Sequence, residues 1–588
     1  MNTSKQVTRR SVLGGSAAVA AAGVALGPMS PALAVERRKV AVLGGGMAGL
    51  SAAFELVERG YEVTVYERNA LGGKARSIPV AGTAAGGRLP LPGEHGFRFF
   101  PGFYKHIPDT MTRIPFAANR NGVKDNLVAA PIPYFPRSGG RNDQQFFGFL
   151  PDPRDLMTPA AVERLVVDEW LSREGIMPDE AAYFASRLVV YLSSCDARRM
   201  GEWEKTSWWD FVGAATRSKE YQNVAARGLT RALVAAKEEI ASTRTIGNMA
   251  EAFIYALAGL GTTGHADQVL DGPTNEVWID PWVGLLRQKG VRFVTGATVT
   301  GLTVGSGRIS GARARRADGT AFTITADWYV SAMPVERVAR LLTAPVLALD
   351  PSLARLHNLY TDWMNGLQIF LKRKVEITRG HIAFLDSPWS ITGLTQGQFW
   401  EKDFAATYGD GTAVDCLSID ISDWTTPGIL YGKTAKECTR QEIFDEAWAQ
   451  MKAALEDTGD SVLPDDIVHS WHLDPGIRFH PSTGSNTNEE PLLVNTVDSW
   501  KDRPTSTTRI PNFFLAGDYV RTNIDLATME GANESGRTAA NAILAASGST
   551  ATRAKIMPMY RPVEWEAFKV VDAARYRLGQ KNVFDVGR

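Results

Sequence analysis

Residues Lys39–Arg76 read KVAVLGGGMAGLSAAFELVERGYEVTVYERNALGGKAR, and the order of elements within them decides the fold. Lys39 to Leu43 is a short apolar run suited to a buried parallel strand. Gly44, Gly46 and Gly49 follow as G-x-G-x-x-G: the first for a tight turn, the second for close approach of a pyrophosphate, the third for helix–strand packing. Leu50, Ala53, Phe54 and Val57 recur at helical spacing, so the glycines, with Met47 and Ala48 between them, open an amphipathic helix. Its N-terminal amides and dipole favour diphosphate charge. Gly60 stops the helix, Glu62 to Tyr66 reads as the second strand, and Glu67 ends it 18 residues after Gly49, where a carboxylate can take hydrogen bonds from a ribose. Strand, glycines, helix, strand and acid in register point to a dinucleotide site; a lone glycine motif would not.

The continuation bears on which dinucleotide. Arg68 and then Leu71-Gly72-Gly73-Lys74-Ala75-Arg76-Ser77 follow the acid. This segment resembles the extended fingerprint of the flavin-containing amine oxidase and carotenoid desaturase superfamily, G-G-[RK]-x-R, which runs along the cofactor diphosphate. The resemblance implies FAD. Lys74 stands where the family more often has Arg, keeping the charge without the planar fork that Arg76 retains. Near the other end, Pro511 to Ala516 reads as a strand followed by Gly517-Asp518, and Ala527-Thr528-Met529-Glu530-Gly531-Ala532 leads into a helix. This is similar to the family's closing motif. The resemblance places Asp518 at the ribityl–diphosphate region and the helix start around Met529, Glu530 and Ala532 at the flavin ring. Gly531 and Gly536 near that start imply close approach, since glycine otherwise costs helix stability. Between the two motifs, Pro281 to Gly290 reads as a helix, and Val291–Val294, Ala297–Leu302 and Asp327–Met333 as strands. Two further runs around Asp318-Gly319 read as a hairpin. By position in the family motif, Val299 lies against the adenine.

The expected fold is α/β: a discontinuous Rossmann-like FAD-binding domain with an inserted α+β substrate domain. FAD-binding parts span 35–110, 271–345 and 506–550. Substrate-domain parts span 111–270, mainly helical, and 346–505, mixed sheet and helix, with a helical tail over 551–588. The block Pro92–Tyr104 (PGEHGFRFFPGFY) stands where the family faces the isoalloxazine ring. Its wording resembles the carotenoid desaturase and hydroxysqualene dehydroxylase branch. Glu94, His95 and Arg98 are the candidate catalytic residues there; the alternative is a tight loop in which Glu94 simply pairs with Arg98. Its aromatics suit a greasy substrate approach or plain core packing. The helical stretches Ala160–Tyr191 and Asn248–Gly261 are candidates to line an apolar cavity. Arg521 either steers a polar end of the substrate or sits in a surface salt bridge.

Lys+Arg and Asp+Glu are equal at 64 each in 588 residues, which gives no footprint for nucleic acid. Three cysteines without C-x-x-C argue against a dithiol centre, and His469, His472 and His480 lack a carboxylate pattern, so no metal is expected. Thr8-Arg9-Arg10-Ser11-Val12-Leu13, a short apolar stretch to Leu26 and Ala32-Leu33-Ala34 resemble a twin-arginine signal peptide over 1–34, handled by the twin-arginine export machinery. Export of a folded flavoprotein to the periplasm or beyond removes soluble NADPH, leaving oxygen or a membrane quinone as acceptor. The leading expectation is an FAD-dependent oxidoreductase that desaturates or dehydroxylates a small hydrophobic isoprenoid, with a peripheral membrane contact through the C-terminal stretch Val563–Leu578 or docking of that stretch on the core. The alternatives are an exported amine or amino-acid oxidase releasing peroxide, and a lipid-binding protein that has lost its flavin.

Overall fold

Five short parallel strands organise the molecule, a computed structural model that describes residues 38–141, 143–145, 152–170, 175–231, 236–459 and 461–586. The expected targeting segment over 1–34 lies outside the described residues. β1 (Lys39–Leu43), α1 (Met47–Val57) and β2 (Glu62–Tyr66) come from the glycine-rich stretch. β3 (Arg292–Val294) and β4 (Trp328–Ser331) come from the middle of the chain, and β5 (Phe513–Leu515) and α2 (Met529–Ala546) from its last part. The strand order is β5-β4-β1-β2-β3, with every neighbouring pair parallel. The Rossmann-like sheet is thus assembled from three separate stretches of chain.

A parallel sheet needs cover on both faces. Leu50, Phe54 and Leu56 of α1 and Ile543 and Leu544 of α2 belong to a core on one side; Ala41, Leu43, Tyr329 and Leu515 belong to a core on the other. Met47 to Leu56 are all buried, so α1 is covered more fully than its amphipathic spacing implies. The buried Glu55 is paired with Arg59 and Arg113 at 2.6 and 2.5 Å. Gly536 of α2 explains the close crossing, since a Cβ there would lie 2.4 Å from the Ala48 carbonyl oxygen. The expected hairpin forms from Arg308–Arg316 and Ala321–Ile324, with Ala297–Gly305 as its third antiparallel strand.

The inserted part carries a seven-stranded sheet. Its order runs Val468–Leu473, Asn365–Leu371, Asp415–Ile421, Thr392–Thr395, Ile382–Ala383, Tyr134–Phe135 and Gln144–Gln145. Leu367, Ile369, Leu417, Ile419 and Ile421 pack on one face against Ile443, Ala447 and Met451 of helix Arg440–Leu455. Helices Pro178–Ser193 and Thr243–Leu257 build the helical part. The tail helix Glu566–Arg577 docks on the core: Trp565 donates to the Leu156 carbonyl at 2.8 Å, and Asp572 accepts from Arg198 at 2.9 Å. Val563, Val570 and Leu578 remain exposed. Among the described residues no helix is long and apolar enough to cross a membrane.

Candidate functional site

In open parallel sheets a ligand crevice forms beyond the carboxyl ends of the strands, where the strand order switches. Here β1 and β4 meet at that point, and a cavity of about 640 Å³ opens beyond them. Gly44 has φ +113°, and a Cβ there would lie 2.6 Å from the Ala332 carbonyl oxygen, so the turn admits only glycine. Gly46 and Gly73 face each other across the cradle floor: a Cβ on Gly46 would stand 3.6 Å from Gly73 Cα, and one on Gly73 2.9 Å from Gly46 Cα. Met47 and Ala48 bring the start of α1 to the wall. Glu67, held by the N–H groups of Gly45 and Asn69 at 2.7 Å each, reaches the wall beside Arg68. A carboxylate has lone pairs beyond those two bonds. Val299 lines the cavity just before a bulge in its strand. Gly517, Asp518, Met529 and Ala532 close the far side, and Arg337 and Arg340 add positive charge. The glycine cradle, helix start, ribose acid and cations fit a diphosphate-bridged dinucleotide in volume and donor set.

Four expected site residues lie behind this wall rather than on it. Gly49 packs instead of lining, because a Cβ there would lie 2.0 Å from the Gly44 oxygen. Arg76 is turned to the Gly73 carbonyl and to Glu490, 3.1 Å away. Glu94 is buried, accepting from Thr274 N and Oγ1 at 3.0 and 2.8 Å, with Arg98 Nε at 3.5 Å. Burial pushes its carboxyl up, against the pull of Arg98 and Thr274. The bland alternative, Glu94 paired with Arg98, is thus realised, and Glu94 braces the loop. Glu530 is the fourth: its carboxylate accepts the N–H groups of Lys105, His106 and Ile107 at 2.8, 2.7 and 2.9 Å, and His106 Nδ1 lies 2.8 Å away. It anchors the helix His106–Thr112. Despite burial, those partners hold its pKa below the usual carboxylate value. Its stabilisation is therefore present above the ordinary glutamate pKa and is lost as pH falls through the lowered one. Glu530→Gln is expected to lose about 1–3 kcal/mol in denaturant titration while the protein stays yellow. Loss of colour without loss of stability would return Glu530 to the cofactor.

His95 and Arg98 do reach the cavity. His95 Nδ1 is paired with Asp474 and stands 3.5 Å from Glu490. Burial would raise Asp474, yet His95, the Gly476 N–H and Asn365 bring it down to about 2. Arg98 donates to the Lys74 carbonyl at 3.2 Å and to the Gly96 carbonyl, tying the two loops together. Lys74 donates to the Pro491 carbonyl and Ala75 completes this edge of the wall. Arg521 lies away from the cavity, donating to the Trp500 carbonyl at 2.8 Å over the indole ring, with no salt bridge to a carboxylate among the described residues.

A second cavity of about 330 Å³ abuts the first. Leu165, Val166, Leu188, Phe253, Ile254 and Leu257 line it, from the two helical stretches expected to do so. Phe97, Phe99, Phe253, Met364 and Asp420 lie on the walls of both cavities. The floor is the front face of the seven-stranded sheet. Asp420 pairs across with Thr392 and Thr392 with Ala383, two residues beyond His381, so all four side chains share that face. His381 Nδ1 lies 2.7 Å from Asp267 Oδ2, and its Nε2 has no hydrogen-bond partner among the described residues. Its ring packs at 5.1 and 5.0 Å from Phe97 and Phe99. Sequence reading missed Asp420, His381 and Asp267. The alternation Leu417-Ser418-Ile419-Asp420-Ile421 was the available signal, since it puts an acid on one face of a strand whose other face is core. His469, His472 and His480 do not converge: His469 meets Ser470 and Asp410, His480 meets Thr487, and His472 packs behind Gly93.

Fold and cavities together define a dinucleotide-dependent enzyme with a separate apolar chamber. Residues 47–544 match the family of flavin-containing amine oxidoreductases, and the chain belongs to that family. It is an FAD-dependent oxidoreductase. Among curated relatives, a zeta-carotene desaturase of Synechocystis sp. is 24% identical over 553 residues, covering 86% of this chain and 97% of the relative. A carotenoid phi-ring synthase of Streptomyces griseus is 24% identical over 510 residues, 86% of this chain and 87% of the relative. Solved structures of a putrescine oxidase and of the cyclohexylamine oxidase of Brevibacterium oxydans superpose with TM-scores of 0.57 and 0.55 at 12% and 14% identity. Each alignment covers 87% of this chain and 99% of the neighbour, and at such identities they share the fold.

Proposed function

We propose that the enzyme oxidises a hydrophobic isoprenoid, by desaturation, in the second cavity. The observation that carries this reading is the apolar chamber of about 330 Å³ sharing Phe97, Phe99, Phe253 and Met364 with the dinucleotide cavity. The zeta-carotene desaturase relatives support it. In the same reading, Gly44 to Ala48 and the start of α1 hold the FAD diphosphate with Lys74, Glu67 takes the ribose, and Val299 meets the adenine. Gly517-Asp518 holds the ribityl end, and His95, Arg98, Met529 and Ala532 surround the ring. When bound, the flavin supplies a two-electron acceptor for a hydride. The chain's part is to hold the substrate, exclude water from the chamber and manage the proton.

Ile254→Trp tests the chamber. Filling it is expected to weaken isoprenoid binding at least tenfold with flavin content unchanged; unaltered binding would move the substrate elsewhere. A second reading, an amine or amino-acid oxidase releasing peroxide, draws on the Asp267 and Asp420 carboxylates in the chamber wall, which suit an ammonium group. Export through the twin-arginine route, with oxygen or a membrane quinone as acceptor, belongs to the proposal on the strength of the first 34 residues. Replacing Arg9 and Arg10 together with lysine should retain the protein in the cytoplasm, and unchanged export would remove that part. A peripheral membrane contact, with the exposed Val563, Val570 and Leu578 as its surface, would bring the enzyme to a quinone and to membrane-dissolved isoprenoid.

A further inference from the structure

Among the described residues Asp420 is the one ionisable residue on the walls of both cavities; the four residues that share this position are apolar. It lies in strand Asp415–Ile421, paired on both edges, and is 5% exposed. Its Oδ1 has no hydrogen-bond partner among the described residues. A purely structural buried acid is normally satisfied, and one left unmade costs stability. The carboxyl packs so closely on the loop before Arg98 that a Cβ on Gly96 would lie 2.5 Å from Oδ1. The charges around it are Arg98 and Glu94 of that loop and Asp474 beyond strand Val468–Leu473; His381 and Asp267 stand further along the same chamber. Burial raises its pKa to about 7, with Arg98 pulling down and Glu94 and Asp474 pushing up.

We propose that Asp420 is the proton acceptor for substrate oxidation, receiving at Oδ1 the proton released as the new double bond forms. The inference rests on the isoprenoid reading above. Desaturation removes two hydrogens from adjacent carbons. One would leave with its bonding pair as hydride, for which a flavin held in the first cavity would be the two-electron oxidant. The second C–H bond breaks, its electron pair becomes the C=C bond, and its proton passes to the Asp420 carboxylate, which later returns it to solvent.

The test uses the holoenzyme and its Asp420→Asn and Asp420→Glu variants, with an acyclic isoprenoid hydrocarbon as probe. Anaerobic flavin bleaching should rise with pH through about 7 in the unaltered enzyme, as the carboxylate forms. In Asp420→Asn the rate should fall by about 10²–10⁴ and lose that limb, with substrate affinity and flavin content retained; Asp420→Glu should restore part of both. A readout independent of turnover is thermal stability. Asp420 titrates at about 7 folded against an ordinary 3.8, so the folded state holds an extra proton between these values, and stability falls as pH rises through that window. Asparagine removes that loss, so the variant's midpoint should gain on the unaltered enzyme between about pH 4 and about pH 8. Unchanged bleaching by Asp420→Asn, or a limb that falls with pH, overturns the role while leaving the substrate reading intact. Bleaching of the unaltered enzyme by amines and by no isoprenoid overturns the substrate reading and this role with it.

Discussion

Gly46→Leu is expected to purify as folded, colourless protein. Gly46 caps the start of α1 at φ −80°, ψ −170°, a conformation open to any residue, so the backbone accepts the change. A Cβ fits 3.6 Å from Gly73 Cα, but the remaining leucine carbons have only the cradle between two glycine backbones to occupy. That is the floor assigned to the diphosphate. Flavin affinity should fall more than a hundredfold, on the order of 3 kcal/mol. Gly44 and Gly49 cannot serve as well, since added carbons there meet backbone at 2.6 and 2.0 Å and threaten the fold itself. Visible absorbance with a near-ultraviolet dichroism spectrum separates the cases. A yellow Gly46→Leu protein at full occupancy would mean that the diphosphate lies elsewhere.

The largest stability effect is expected at Asp525. Its carboxylate joins two buried arginines: Arg503, and Arg244 at 2.5 Å, with Thr245 donating at 3.0 Å. Arg503 in turn donates to the carbonyls of Asp518, Tyr519 and Val520 at 3.0, 3.1 and 2.9 Å, so this ion cluster clamps the Gly517-Asp518 turn. Asp525 has φ +52°, which asparagine tolerates, so Asp525→Asn removes the charge without backbone strain. The buried Arg503 then loses its carboxylate partner and Arg244 keeps only Glu204 at 2.9 Å, a loss of about 3–5 kcal/mol. Denaturant unfolding should show it directly, and a change under about 1 kcal/mol would mean that water reaches the cluster.

Much of the flavin-binding half was legible because its signals are local. Gly44, Gly46 and Gly49 stand between β1 and the first turn of α1, and the Gly531–Gly536 spacing announced a close crossing that Gly536 and Ala48 realise. The side-chain direction of Glu530 was not legible. Its motif position lies at the start of α2, but its partners are amides more than 400 residues earlier in the chain. Glu94 illustrates the same limit: an acid beside a flavin motif reads as chemistry, while the structure spends it on Thr274 and Arg98. The sheet side of the chamber was hidden for a different reason. Asp420, Thr392 and His381 come together only through the register of three strands, and strand pairing across long separations leaves no local mark.

In the proposed reading an apolar substrate meets the flavin where the two cavities join. Its most direct test is an anaerobic titration of the purified yellow enzyme with an acyclic isoprenoid and, in parallel, with primary amines, following the visible flavin band. Stoichiometric bleaching by the isoprenoid and none by the amines is expected. Bleaching by amines alone, with peroxide on admitting air, would contradict it and make the Asp267 and Asp420 carboxylates an ammonium site.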